Sequence, residues 1–231
     1  MRVAAPILAL AAVAAAGQPT LTYVSQRRYV ELDGFRIAAP GFGPFEAVLD
    51  HAGAPGAPTS SCRQESVLEP SMLIINGNAY GLSVNGQVVP AESVFDVVFD
   101  LPESANLRVV ALFGRDEALF DMYDQAGEAV LRLPRNRPHS ALFALRAGRY
   151  RAGAFARVTP SSVLLRGGMF SVTLTFACRA DMNVDGGVDF NDVLEFLNAY
   201  AALDPRADVN EDGAVDFTDF VAYLDLFNAG C

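Results

Sequence analysis

The chain has 231 residues, 17 basic and 27 acidic, giving a formal net charge of −10, with 52% apolar residues, three cysteines and no tryptophan. That length and apolar content support one or two domains with a real core. An acidic chain of this kind is not a general nucleic-acid binder, because phosphate recognition needs a positive surface.

The imbalance is local. Residues 178–231 hold twelve acids against Arg179 and Arg206 and carry the whole −10, while the first 177 residues hold fifteen of each sign. A segment with its own charge is expected to have its own chemistry, so the expected division is a leader over 1–16, a first domain over 17–177 and a second over 178–231.

Met1-Arg2 precedes an apolar run over 3–16 that ends in Ala14-Ala15-Ala16, followed by the polar Gln18-Pro19-Thr20. A positive charge, a short apolar stretch and small residues at its end predict a signal peptide and hence an exported protein, secreted or held at a cell surface. The run falls short of the ~20 apolar residues that cross a bilayer. No other stretch reaches that length, so no transmembrane segment is expected in the mature chain.

Residues 17–177 read as short strands. Phe95, Val97 and Phe99 alternate with Asp96, Val98 and Asp100, and Phe170, Val172, Leu174 and Phe176 alternate with Ser171, Thr173 and Thr175, a period of two with one buried face. Further strands are expected over 107–113, 119–123, 129–133, 141–145 and 149–158, separated by turn signals such as Asn85-Gly86, Gly127 and Gly148. Such spacing predicts an antiparallel β-sandwich, jelly-roll-like. The Gly-, Ala- and Pro-containing stretch over 39–66 is read as a long loop or an excursion from the sheets. The strand pattern is weakly similar to sandwich domains that precede surface-anchoring signals in exported bacterial proteins.

Catalytic chemistry is sparse here. His51 and His139 are the only histidines and neither has an obvious nucleophile beside it. Tyr29, Tyr80 or Tyr123 could form a small sugar platform, and seven arginines (Arg132, Arg135, Arg137, Arg146, Arg149, Arg151 and Arg157) a basic face opposing anionic polysaccharide or the acidic segment itself. Core or strand-edge tyrosines and solvated arginines are the plainer readings.

Cys178 and Cys231 bracket the acidic segment, 53 residues apart. In an oxidising compartment they are expected to form a disulfide, worth roughly 4 kcal/mol in the chain-entropy account. Cys62 is then the odd thiol, free, capped or intermolecular.

Within that segment, residues 179–200 repeat over 206–227 with a shift of 27, and eleven of 22 positions are identical. The first copy offers Asp181, Asn183, Asp185, Gly187, Asp189 and Asp192, and the second Asp208, Asn210, Asp212, Ala214, Asp216 and Asp219. Oxygen donors at loop positions 1, 3, 5, 9 and 12, a main-chain carbonyl at 7 and glycine at 6 (Gly186 and Gly213) are what a hard, oxygen-seeking cation of the size of calcium requires. Two Ca2+ are therefore expected, taking the net charge to −6. Chelation is expected to unfold 178–231 and to leave the sandwich transition nearly in place.

Each loop runs into a helix. Val193, Leu194, Phe196, Leu197 and Tyr200 carry helical apolar spacing, and Phe220, Val221, Tyr223, Leu224 and Phe227 repeat it.

A calcium loop followed by one helix, duplicated in about 50 residues, resembles a dockerin, and the bracketing cysteines with Ala229-Gly230-Cys231 are similar to the GC-type dockerin of exported bacterial proteins. Loop positions 10 and 11, which help cellulosomal dockerins read a cohesin as small or hydroxylated pairs, are Phe190-Asn191 and Phe217-Thr218 here. The resemblance implies a small all-α calcium-binding dockerin-like module after the sandwich, and a cohesin-like or other protein receptor on a scaffold or cell surface. The expected function is that of an exported non-catalytic protein attached through this segment, with a β-sandwich of unknown binding or structural role. The alternative is a polysaccharide-degrading O-glycosyl hydrolase or a carbohydrate-binding component of a cellulosome-like assembly, with polysaccharide as a further partner.

Overall fold

The computed structural model describes residues 17–85, 87–114, 117–133, 137–158 and 165–231. The expected signal peptide over 1–16 lies outside the described residues, as do Gly86 and Arg135.

The chain is mostly β. Twelve antiparallel strands lie among the described residues: β1 Thr22–Leu32, β2 Phe35–Ala38, β3 Phe45–His51, β4 Thr59–Leu68, β5 Met72–Leu82, β6 Ala91–Leu101, β7 Ala105–Gly114, β8 Ala118–Asp124, β9 Ala129–Arg132, β10 His139–Leu145, β11 Gly148–Val158 and β12 Leu165–Cys178. They form two six-stranded sheets, in the orders β2-β1-β6-β11-β8-β9 and β10-β7-β12-β5-β4-β3. The expected sandwich is present. Strands β5 to β12 follow the double Greek-key path of a jelly roll, and β1 to β4 widen each sheet by two strands.

Alternation places the core. Phe95, Val97 and Phe99 of β6 are fully enclosed and face Phe170, Val172 and Phe176 of β12, and the rings of Phe99 and Phe176 meet edge to face at 5.5 Å. The stretch over 39–66 is corrected, since it holds β3 and most of β4. Its strand was hidden because β4 turns Ser60, Cys62, Gln64 and Ser66 inward, so its alternation is polar where an apolar residue is expected. Partners make this burial tolerable: Gln64 Nε2 donates to the Val94 carbonyl at 2.6 Å, and Ser66 Oγ accepts from the buried Arg28 guanidinium at 3.1 Å.

After Cys178 come only two helices, α1 Phe190–Ala201 and α2 Phe217–Ala229, and one 3-10 turn at Pro205–Ala207. The expectation of a small all-α dockerin-like module is overturned, because the two acidic loops and their connections are irregular. The reason lies in the backbone: Val184, Gly186, Glu211 and Gly213 have φ of +54°, +96°, +61° and +92°, in the left-handed region that no helix continues through. The small core of this segment is made by Met182, Phe196, Ala199, Ala207 and Tyr223, with Phe196 and Tyr223 stacked at 4.1 Å.

The segment also leans on the sandwich. Asn106 of β7, itself buried, donates through Nδ2 to the carbonyl oxygens of Cys178, Arg179 and Asp181 at 3.3, 3.2 and 2.9 Å. Among the described residues no helix is long and apolar enough to cross a membrane.

Candidate functional site

The two acidic loops repeat in space as they do in sequence. The glycines at position 6 share one conformation, and so do the residues before them at position 4. Each loop ends in a capping box: Asp189 and Asp216 cap α1 and α2, and Asp192 and Asp219 reach back to the cap amides at 2.8 and 2.9 Å. Positions 9 and 12 therefore have a second role, starting the helices.

In the first loop Asp181 accepts from the amides of Asp185 and Gly186 at 3.1 and 2.9 Å, and Asp192 accepts from Asn183 at 3.1 Å. Asp185 accepts from the Gly187 amide at 3.0 Å and Asp189 from that of Asn191 at 2.7 Å. In the second loop Asp208 accepts from Gly213 at 3.2 Å, Asp212 from Ala214 at 2.9 Å and Asp216 from Thr218 at 2.8 Å. Asp219 accepts from Val209 and Asn210 at 2.8 and 3.1 Å. The amide of Asp212 in turn donates to Asn210 Oδ1 at 2.9 Å. Each set of predicted ligands thus lines one turn of chain.

Among the described residues no three Asp, Glu, His or Cys side chains are drawn into a closed cluster. Four carboxylates at that range would repel one another, and each is engaged by amide protons instead.

Three observations bear on whether the loops suit a cation. Asp181, Asp192 and Asp219 are fully buried, and among the described residues none of them, nor Asp185 or Asp189, takes part in a salt bridge. Burial pushes the Asp181 carboxyl above its ordinary value, and the neighbouring Asp192 and Asp185 charges push the same way. Asn183 Oδ1 and Asp208 Oδ1 are enclosed without any hydrogen-bond partner, and they are positions 3 and 1 of the two loops. Buried unpaired oxygens and uncompensated negative charge are costly alone and would be relieved together by a divalent cation held in each loop. The donor set, all oxygen, fits calcium.

The second loop is tied to the sandwich as the first is. Arg179, largely buried, donates to Asn106 Oδ1 at 3.1 Å and to the carbonyl of Asp208 at 2.8 Å. Arg146, in the β10–β11 turn, donates to the carbonyl of Glu211 at 3.0 Å and lies 3.8 Å from the Asp208 carboxylate. Sequence reasoning missed Asn106 and the part Arg179 plays, whereas Arg146 is one of the arginines read as able to oppose the acidic segment. The recurrence of Arg179 as Arg206 was the one available signal; Asn106 offered none.

Cys178 and Cys231 form the expected disulfide, with Cα atoms 5.7 Å apart. Cys62 is free and enclosed in the sandwich core, where burial pushes its thiol up to about 11.

The predicted apolar helix faces divide in two. Phe196, Tyr223 and their neighbours pack inward, while Leu194, Leu197, Val221 and Leu224 are exposed. Phe190 and Phe217, at loop position 10, are each 68% exposed.

Part of the expected basic face is paired with acids: Arg146 meets the second acidic loop, and Arg149 and Arg151 meet acids of β6. Arg149 pairs with Asp100 at 2.7 Å, and Arg151 grips both oxygens of Asp96 at 2.7 and 2.8 Å. Arg151, with Arg27 and Arg157, borders a groove of about 470 Å³ on the outer face of the first sheet, with Tyr29 and Tyr123 among its walls. Tyr80 lines a separate, smaller hollow of about 310 Å³ together with His51. Tyr29 donates to Glu92 at 2.6 Å, and burial raises its phenol to about 12.

No known protein family matches the chain, and no curated protein is significantly similar to it. Among solved structures, the enzymatically active domain of tailspike protein 4 from bacteriophage CBA120 aligns with a TM-score of 0.23 and 12% identity, over 51% of this chain and 19% of that one. The aligned part is a small share of the tailspike domain, and a likeness at this level carries no argument about fold or function.

Proposed function

We propose that this chain is an exported, non-catalytic protein that attaches to an extracellular or cell-surface scaffold through two calcium-loaded loops resembling those of a dockerin. The sandwich is the part so displayed, and the receptor is a cohesin-like or other protein. The observation that carries this reading is the doubled apolar surface beside the loops: Phe190 with Leu194 and Leu197, and Phe217 with Val221 and Leu224, each set exposed and each fixed by the capping box of a loop. Exposed aromatic and aliphatic residues held on rigid helix starts are good anchors for a protein partner. Calcium would act by holding each loop, and with it the Phe at the helix start, in one conformation; the ligands would be Asp181, Asn183, Asp185, Gly187, Asp189 and Asp192, and their counterparts 27 residues on.

The test is co-sedimentation with the native cell-envelope fraction. The full chain should sediment in calcium and stay in solution in EGTA, and the double variant Phe190→Ser with Phe217→Ser should stay in solution in both while keeping its calcium-bound melting temperature. Equal sedimentation of the double variant would contradict the reading.

A further inference from the structure

The outer face of the first sheet has a hole in its side-chain layer. Gly153 sits in the middle of β11, opposite Asp96 of β6 on one side and Asp121 of β8 on the other. A methyl group built on it would meet nothing nearer than the Phe95 carbonyl oxygen at 4.0 Å. Glycine inside a strand weakens it and commonly marks a place where something else approaches the backbone closely. Among the described residues nothing fills the space over Gly153, which is the floor of the 470 Å³ groove.

The walls of the groove are arranged for a particular chemistry. Asp96 and Asp121, two strands apart, stand about 10 Å from each other at the backbone. Arg151 holds Asp96 with two parallel bonds and Arg27 adds a third at 3.3 Å, so the planar donors and acceptors at this edge are fixed before any ligand arrives. Asp121 accepts from the Tyr123 hydroxyl at 3.2 Å, and its other oxygen has no partner. The ring of Tyr123 and that of Phe155, one face of which lies under the Arg157 guanidinium at 4.3 Å, add apolar surface. Three arginines (Arg27, Arg151 and Arg157) face three acids (Glu92, Asp96 and Asp121), so the lining is neutral in sum.

A neutral lining neither attracts nor repels a charged polymer at long range. Fixed carboxylate acceptors beside fixed guanidinium donors suit a ligand whose groups each donate and accept, and aromatic walls suit the apolar faces of a ring. We propose that the groove over Gly153 binds a neutral polysaccharide chain. The ion pairing of both Asp96 oxygens suits recognition and not proton transfer, and the proposal is of binding alone. The inference deepens the reading of the sandwich as a displayed binding part and is independent of the calcium loops.

Affinity electrophoresis of the full chain in calcium, through gels holding either a panel of neutral soluble glucans, mannans and xylans or anionic polygalacturonate, tests it. The expected result is retardation by at least one neutral polymer and none by polygalacturonate. Gly153→Val fills the groove from its floor with a good strand former, so it should melt no lower than the parent and lose retardation by about tenfold or more in apparent affinity. Tyr123→Ala should weaken binding in the same sense and covers the case in which the valine variant does not fold. No retardation by any neutral polymer, retardation by polygalacturonate alone, or unchanged retardation of folded variants would overturn the proposal. Calcium uptake measured on the same samples is read separately, so failure of the groove and failure of the attachment reading remain distinct.

Discussion

Asn106 of β7 donates its side-chain amide to the main-chain oxygen of Asp181 at 2.9 Å, which fastens the first residue of the first acidic loop to the sandwich. The same amide serves Cys178 and Arg179, and its oxygen receives the Arg179 guanidinium. Replacing it by leucine strands several buried groups, each costing about 1–3 kcal/mol. Asn106→Leu should lower the melting temperature in calcium by about 4 °C or more. A variant that melts with the parent would show that this seam contributes no stability.

The seam alters what chelation should do. A charge boundary at residue 178 suggested a tail that melts alone, yet Asn106, Arg146 and Arg179 bond across that boundary. Removing calcium at a concentration of about 100 times its dissociation constant should withdraw about 2.7 kcal/mol per site, and part of that loss should reach the sandwich. Calorimetry with EGTA should show the main transition itself moving down. A separate low-temperature transition with the main one unmoved would mean that the seam transmits nothing.

Gly186 and Gly213 have open space around them and φ above +90°. Alanine at either position fits sterically but is forced into a region unfavourable by about 1–2 kcal/mol. Gly186→Ala should weaken calcium binding at the first loop by roughly tenfold and leave the second loop's affinity in place, as read by calorimetric titration. An unchanged titration would mean that the turn at position 6 tolerates a side chain.

Cys62 reports on the sandwich. Its thiol is fully enclosed, donates to the Glu31 carbonyl at 3.3 Å, and is pushed up to about 11 by burial. The unfolded thiol ionises near 8.5, so the stability associated with this group is full below that pH and is lost as pH rises through 11. At pH 8 a thiol reagent should label no cysteine in the folded protein and one after denaturation, since Cys178 and Cys231 are joined. Rapid labelling of the folded protein would contradict the enclosed position.

Reducing that disulfide should destabilise the C-terminal segment by a few kcal/mol, up to roughly 4. Helix α2 ends at Ala229, two residues before Cys231, so its fraying should be the first loss, and amide exchange over 217–229 should quicken on reduction while β6 and β11 keep their protection. Equal exchange before and after reduction would show that the staple does not hold the helix.

The sandwich and the doubling of the acidic loops were legible because each rests on a short-range pattern. A period of two placed Phe95, Val97 and Phe99 inside, and a shift of 27 residues matched Asp181 to Asp208 and Gly186 to Gly213. Strand β4 was not legible, because Cys62, Gln64 and Ser66 are core residues whose polar atoms find partners only in the folded sheets. The groove was hidden for a related reason: Gly153, Asp96 and Asp121 come from three strands, and only the register of β11 with β6 and β8 brings them together. The exposure of Leu194, Leu197, Val221 and Leu224 was not legible, because apolar spacing states which residues share a face and not what covers it.

Calcium titration of the full chain tests the central claim most directly. Equilibrium dialysis and calorimetry should find two ions bound per chain, with the melting temperature rising as they bind, and Asp192→Asn and Asp219→Asn should each remove one. A chain that binds no calcium at millimolar concentration, or whose melting temperature is the same in calcium and in EGTA, would contradict it.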